Sequence, residues 1–164
     1  MALRTIRTYG DEILTKTSRP VTQMKPKYET LIDDMLDTMY DAHGVGLAAV
    51  QVGILRRIVV IDVSPEGNSP IVLINPEIIE KDGEQTGQEG CLSVPGRYGI
   101  VTRAEHVKVK ALDRDMNEQV YEGEGLLARA FQHEIDHLDG KMYVDLAEGG
   151  LKSYDEDDEE EEEA

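Results

Sequence analysis

Between residues 25 and 43 the apolar side chains fall at Tyr28, Leu31, Ile32, Met35, Leu36 and Met39, the three- and four-residue spacing of a helix that buries one face. Gly44 follows as a stop signal. The period then changes. Residues 57–63 and 71–74 are short β-branched runs, and residues 107–112 alternate apolar and polar positions, as a strand with one dry face does. Turn-forming residues over 113–117 predict a hairpin that folds residues 119–121 back onto that strand. Helical spacing returns from about residue 124 to 138, where Leu127, Ala130, Phe131 and Leu138 share a face and Asp139-Gly140 ends the pattern. Residues 141–146 predict a last short strand. Strands and helices are segregated instead of alternating, which predicts one α+β domain with a largely antiparallel sheet packed around the C-terminal helix.

Charge changes the picture at one end only. The net charge of −17 includes nine consecutive acids, Asp155 to Glu163; the other 25 acids against 17 bases leave the remainder at −8. A run that repels itself has nothing to bury, so the expected division is a domain over residues 1–150 and a disordered acidic tail over 151–164. An acidic body gives no reason to expect direct nucleic-acid binding. The single cysteine, Cys91, rules out an internal disulfide and suits a reducing compartment. No apolar run approaches a membrane span, and the first residues lack the apolar core of a secretion signal. A cytoplasmic protein with no membrane association is the expectation.

The candidate chemistry lies on the C-terminal helix. Gln132-His133-Glu134-Ile135-Asp136-His137 sets two imidazoles four residues apart, aimed at one point where a metal ion could sit. Glu134 follows the first of them, close enough to act as general base on a water without being a ligand. Two ordinary surface histidines would satisfy the same short pattern. Cys91, in Glu89-Gly90-Cys91-Leu92-Ser93, is either a third ligand presented by a strand or a small buried hydrophobe. As a ligand it would leave the fourth tetrahedral position open, as a catalytic ion requires. Gly44-Val45-Gly46-Leu47-Ala48-Ala49-Val50-Gln51 lets backbone approach a ligand closely and offers the Gln51 amide to an oxyanion, although packing explains such a loop equally well. Asp136 is either an acceptor for a ligating imidazole or a solvated acid. Glu89 either orients a neighbour or lies on the surface. His43 reads as a polar helix end and His106 as solvated.

These three segments, in this order, resemble the peptide deformylases, whose pattern is a GxGLAAxQ loop, an EGCLS segment and a QHExDH helix. The resemblance extends from about Thr8 to Leu146 and covers nothing in the acidic run. It implies a hydrolase that removes the formyl group from N-formylmethionyl nascent peptides near the ribosome, releasing formate. It further implies one divalent metal ion, iron(II) first, with zinc, nickel or cobalt also suiting two imidazoles and a thiolate. Cys91, His133 and His137 would bind it. Glu134 would take a proton from the attacking water, while Gln51 and the backbone N–H of Leu92 hold the developing oxyanion. Val45, Gly46 and Leu47 would bind the peptide as an added strand. Many members carry an arginine just past the cysteine motif, where this chain has Arg97. Some end in a basic helix where this chain has acids, so the tail is not expected to touch ribosomal RNA. Two other classes compete: a zinc endopeptidase, which would commonly add a ligand downstream of His137, and a protein with a structural metal, which would show a fourth ligand. Neither extra ligand is visible in the sequence.

Overall fold

The computed structural model describes residues 2–153. The run from Asp155 to Glu163, expected to be a disordered tail, lies outside the described residues. Helix α1, Pro26–Asp41, starts on a proline whose missing N–H costs nothing in the first turn. It buries Tyr28, Leu31, Ile32, Met35 and Met39, the face the spacing predicted. Its end differs in detail from the expectation. His43 takes the left-handed conformation at φ 57°, and the Gly44 N–H closes the last turn onto the Met39 carbonyl at 2.9 Å. Gly44 is reserved for another contact, described below.

Five strands form the larger sheet: β1 Gly46–Ala48, β2 Ile58–Ile61, β3 Ile71–Asp82, β6 His106–Leu112 and β7 Glu118–Glu124, in spatial order β1-β2-β3-β6-β7 and antiparallel throughout. All four residues of β2 are buried, because this strand is covered on both faces. Ile58 and Val60 pack with α1, while Val59 and Ile61 pack with the second helix, α2 Gly125–Leu138. Leu47 and Ala48 of β1 divide in the same way. The sheet is thus a middle layer between two helices, and β1 is one of its edges.

β3 runs well past the four apolar residues that announced it. A bulge at Asn75 absorbs the following proline, and the Asn75 amide pairs with both backbone groups of Val21 at 2.8 Å. Beyond it the exposed face carries charge, so the apolar signal fades while the strand continues. A second sheet, β4 Gln85–Glu89, β5 Arg97–Arg103 and β8 Glu148–Ser153 in the order β4-β5-β8, is foreshadowed only by the strand offered as the carrier of Cys91. Its strands are largely polar, and β4 buries only Glu89. Two expectations are corrected at the C-terminal end. Residues 141–146 form no strand; Met142 and Tyr143 are adjacent and both buried, which a strand with one dry face cannot arrange, and Tyr143–Asp145 is a 3-10 turn. The strand comes later as β8 and reaches Ser153, so the boundary expected at residue 150 falls inside it. Among the described residues no helix is long and apolar enough to cross a membrane.

Candidate metal centre

Helix α2 and the turn after β4 meet at one buried point. His133 and His137 share a face of α2, and His137 Nε2 lies 3.2 Å from His133 Nε2 and 3.3 Å from Cys91 Sγ. Contrary to the expectation of a strand, Cys91 sits just past β4, at the head of a turn closed by the Val94 N–H on the Cys91 carbonyl at 2.9 Å. The thiol still arrives, because Glu89 anchors the end of β4.

The donor set fits a cation. Nitrogen ligands about 2.1 Å from a tetrahedral ion lie roughly 3.4 Å apart, close to the spacing of the two Nε2 atoms. Burial and the charges of His133 and Arg103 hold His137 well below its ordinary pKa, so it is neutral with a lone pair to give. Burial works against a charged His133 too, but its hydrogen bonds with Cys91 and Glu89 and the charge of Glu134 raise its pKa well above the usual value. The cluster therefore already attracts one positive charge. Among the described residues, Cys91, His133 and His137 are the group whose donor atoms lie within 4.8 Å of one another, and no fourth protein donor joins them.

Glu134 stands beside this cluster. Its Oε1 is 3.6 Å from His133 Nε2, and its Oε2 is buried without a hydrogen-bond partner. Burial pushes its pKa up to about 7, against 4.5 ordinarily. Two glycines make room around it. A Cβ on Gly46 would meet the Glu134 carboxylate at 3.0 Å, and one on Gly44 would strike Leu92 Cδ1 at 2.6 Å. The glycine-rich loop is thus pressed against both the helix and the cysteine turn, and the packing and functional explanations of its sequence describe one contact.

Gln51, in the 3-10 turn Ala49–Val52 after β1, is fixed at both ends of its amide. Its Oε1 accepts the Ala48 N–H at 2.9 Å, while Nε2 donates to Ser93 Oγ at 2.9 Å and lies 3.5 Å from Cys91 Sγ. The N-terminal segment straps the two loops together. Arg7 N–H donates to the Gln51 carbonyl at 2.6 Å and Tyr9 N–H to the Ser93 carbonyl at 2.7 Å. The Leu92 N–H has no acceptor among the described residues and lies next to Cys91.

Glu89, left undecided by the sequence, is the hub of the support. It is buried and its Oε2 accepts from His133 Nδ1 at 2.7 Å, which fixes the ring with Nε2 toward the cluster. Arg103 grips both Glu89 oxygens at 3.1 and 2.7 Å, and Arg129 reaches Oε1 at 2.8 Å. Burial opposes a charged Glu89, but the hydrogen bonds and charges of His133 and Arg103 outweigh it and hold the carboxyl well below the usual range. Asp136 does not bond a ligand; it pairs with Arg103 at 2.7 Å, one link further out. Ser93 stood in the cysteine motif without a role, and Arg103 and Arg129 had no signal in the sequence, since nothing local to a polar residue says which distant partner will bury it. His43 lines the cleft described next, and His106 pairs with Glu122 at the surface.

A cleft of about 390 Å³ opens onto the cluster, walled by Gly44, Val45, Gly46, the cysteine turn, Arg97, Leu126, Arg129 and Ala130, with His133 and Glu134 at its base. Val45 and Gly46 border it. Leu47 does not, since its side chain is fully buried against α1. The Val45 carbonyl is taken by the Asp62 N–H at 2.8 Å, so strand alternation turns the N–H and C=O of Gly46 toward the open edge of the sheet.

Comparison with known proteins agrees with this geometry. The sequence profile of the family described as polypeptide deformylase matches residues 3–152. A peptide deformylase of Lachnoclostridium phytofermentans is 67% identical over 163 residues, covering 98% of this chain and 100% of that protein. One from Agathobacter rectalis is 66% identical, over 92% and 94% of the two chains. Among solved structures, a peptide deformylase from Legionella pneumophila superposes with a TM-score of 0.86 at 51% identity, over 89% of this chain and 86% of that one. A peptide deformylase from Synechococcus elongatus, in complex with actinonin, gives 0.83 at 43% identity, over 87% and 78%.

Proposed function

The chain belongs to the polypeptide deformylase family, which makes it a metal-dependent hydrolase that removes the N-formyl group from newly made polypeptides, and on that premise we propose how its residues share the reaction. An extended peptide pairs with the free edge of β1 at Gly46, beside Val45, and so enters the cleft formyl end first. Its first side chain lies against the wall made by Leu126, Arg129 and Ala130. A formamide is an unactivated amide, so its hydrolysis needs a strong nucleophile, donors for the oxyanion and a proton for the amine that leaves. A divalent ion on Cys91, His133 and His137 supplies Lewis acidity, polarising the formyl oxygen and acidifying water.

Glu134 removes the proton from the attacking water as it adds to the formyl carbon. Burial raises the affinity of this carboxylate for a proton, so it can accept that proton and hand it on. The Gln51 amide and the Leu92 N–H hold the charge that gathers on the formyl oxygen. Both are set in advance, Gln51 by Ala48 and Ser93, Leu92 by the turn that begins at Cys91. Glu134 then passes its proton to the amine, the carbon–nitrogen bond breaks, and formate and a free α-amine result. The observation that carries this reading is the meeting of three convergent donors with a buried carboxylate, one of whose oxygens has no hydrogen-bond partner, at the base of a cleft edged by an open strand.

Iron(II) is the proposed native ion, on the family resemblance and on a donor set that equally suits zinc, nickel and cobalt. The proposed setting is the cytoplasm beside the ribosome, where formylated N-termini are made. The test is formate release from a short formyl-methionyl peptide by anaerobically purified protein, with metal analysis of the same sample. Stoichiometric iron with turnover supports the assignment; no formate with any of the four metals would sink it. Air should inactivate the iron form through metal oxidation followed by Cys91 oxidation and spare the nickel form, whereas equal decay would point to ordinary unfolding.

A further inference from the structure

Arg129 is the one strongly charged side chain of α2 on the cleft wall that the reaction does not use. Its side chain is 8% exposed, and its head is committed in three directions at once. Nη1 donates to Glu89 Oε1 at 2.8 Å, Nη2 to the Val101 carbonyl of β5 at 3.0 Å, and Nε to Gln85 Oε1 of β4 at 3.3 Å. A single residue of the helix that carries both histidines therefore grips both strands around the cysteine turn, and it does so four residues before His133. We infer that Arg129 is a positioning residue for the metal centre: it locks Glu89, and with it the His133 ring and the approach of Cys91, from within the substrate wall.

Geometry gives Arg129 a place there that Arg103 does not fill. Glu89 and Asp136 are two carboxylates, and Arg103 serves both, with Nη1 on Asp136 and the rest of its fork on Glu89. Arg129 adds a cation on the buried Glu89 alone. It also holds the oxygen that His133 does not use. Without it Oε1 keeps only the longer, 3.1 Å bond from Arg103 Nε, so the carboxylate is less firmly held at that oxygen and can tilt about the two 2.7 Å bonds to Oε2. A pivot of Glu89 rotates the imidazole it holds, and ligand orientation is what metal affinity depends on. Arg129 touches neither the ion's donors nor the reacting atoms; it acts through Glu89. A lysine at this position would keep the charge but not the planar fork that reaches three acceptors.

The inference rests on the metal-centre reading above, and the test separates the two. Cobalt(II)-loaded wild type, Arg129→Met and Arg129→Lys are compared by visible absorption, by metal retention against a competing chelator, and by kcat and KM on formyl-methionyl peptides, with circular dichroism as a check on folding. Arg129→Met keeps the apolar stem on the cleft wall. It should lose metal on the order of 10- to 100-fold more readily, shift the cobalt absorption bands and lower kcat with little change in KM. Arg129→Lys should fall between it and wild type, and decides the matter alone if Arg129→Met does not fold. Wild-type metal retention and spectrum in both variants, with KM alone altered, would overturn the inference and leave Arg129 a wall residue. Failure of wild type itself to bind cobalt would overturn the metal-centre reading and this inference together.

Discussion

Glu134 has one carboxylate oxygen 3.6 Å from a histidine of the metal cluster and the other buried without a partner, an arrangement that costs stability. Glu134→Gln removes the base and spares all three ligands. It should retain metal in full and lose roughly 100- to 10,000-fold in kcat, the usual weight of a general base; metal analysis beside formate release checks this, and loss of the ion would mean the residue has been misassigned. The same substitution has an opposite effect on stability. A carboxyl raised to about 7 by burial favours the folded state while protonated, and that contribution is lost as pH rises through 7. At pH 8, metal-free Glu134→Gln should therefore be more stable than metal-free wild type, by up to roughly 3 kcal/mol. The gap should close as pH falls toward 5. A melting series across that range on chelator-treated protein tests it, and a gap that does not change with pH would show that ionisation of Glu134 is not its source.

At the scale of elements, catalysis depends on how closely β1 and the loop before it lie against α2 and the cysteine turn. Gly46 is where a Cβ would press on the Glu134 carboxylate at 3.0 Å, and its own conformation needs no glycine. Gly46→Ala should thus leave folding nearly intact while displacing the base by tenths of an ångström. Activity should drop on the order of tenfold or more, with melting temperature changed by only a few degrees; kinetics and calorimetry on one preparation distinguish this from general destabilisation. Gly46 was placed at a ligand-facing position by its sequence neighbours alone. The side chain it must clear was not legible there, because Gly46 and Glu134 are brought together only by packing of β1 on α2. Peptide pairing gives a companion test: a substrate N-methylated where its backbone would donate to the Gly46 carbonyl should show a raised KM. An unchanged KM would move the peptide off the β1 edge.

Across the whole molecule, the two sheets must stay in register for Cys91 to meet the histidines, and β8 is an outer strand of the smaller one. Ser153 is buried and pairs with Arg97 at the mouth of the cleft. Truncation after Ser153 removes the acidic run and should leave kcat/KM on small peptides near wild type. Truncation after Leu151 should lower the melting temperature by several degrees, because it cuts the pairs that β8 makes with Arg97 and Tyr98. Equal behaviour of the two truncations would mean that the end of β8 contributes nothing. What the chain settled by itself were features whose physics is local: the apolar face of α1, the alternation in β6, and two histidines four apart whose imidazoles a helix must aim together. Packing decided the rest. Glu89, Arg103, Arg129 and Asp136 are polar residues that the sequence cannot distinguish from surface charge, and they form the buried support of the metal centre only because β4, β5 and α2 converge there. The strands that carry Glu89 and Arg103 were all but unseen for the same reason: their stability comes from paired backbone and buried ion pairs made with partners remote in sequence, which leave no apolar period along the chain.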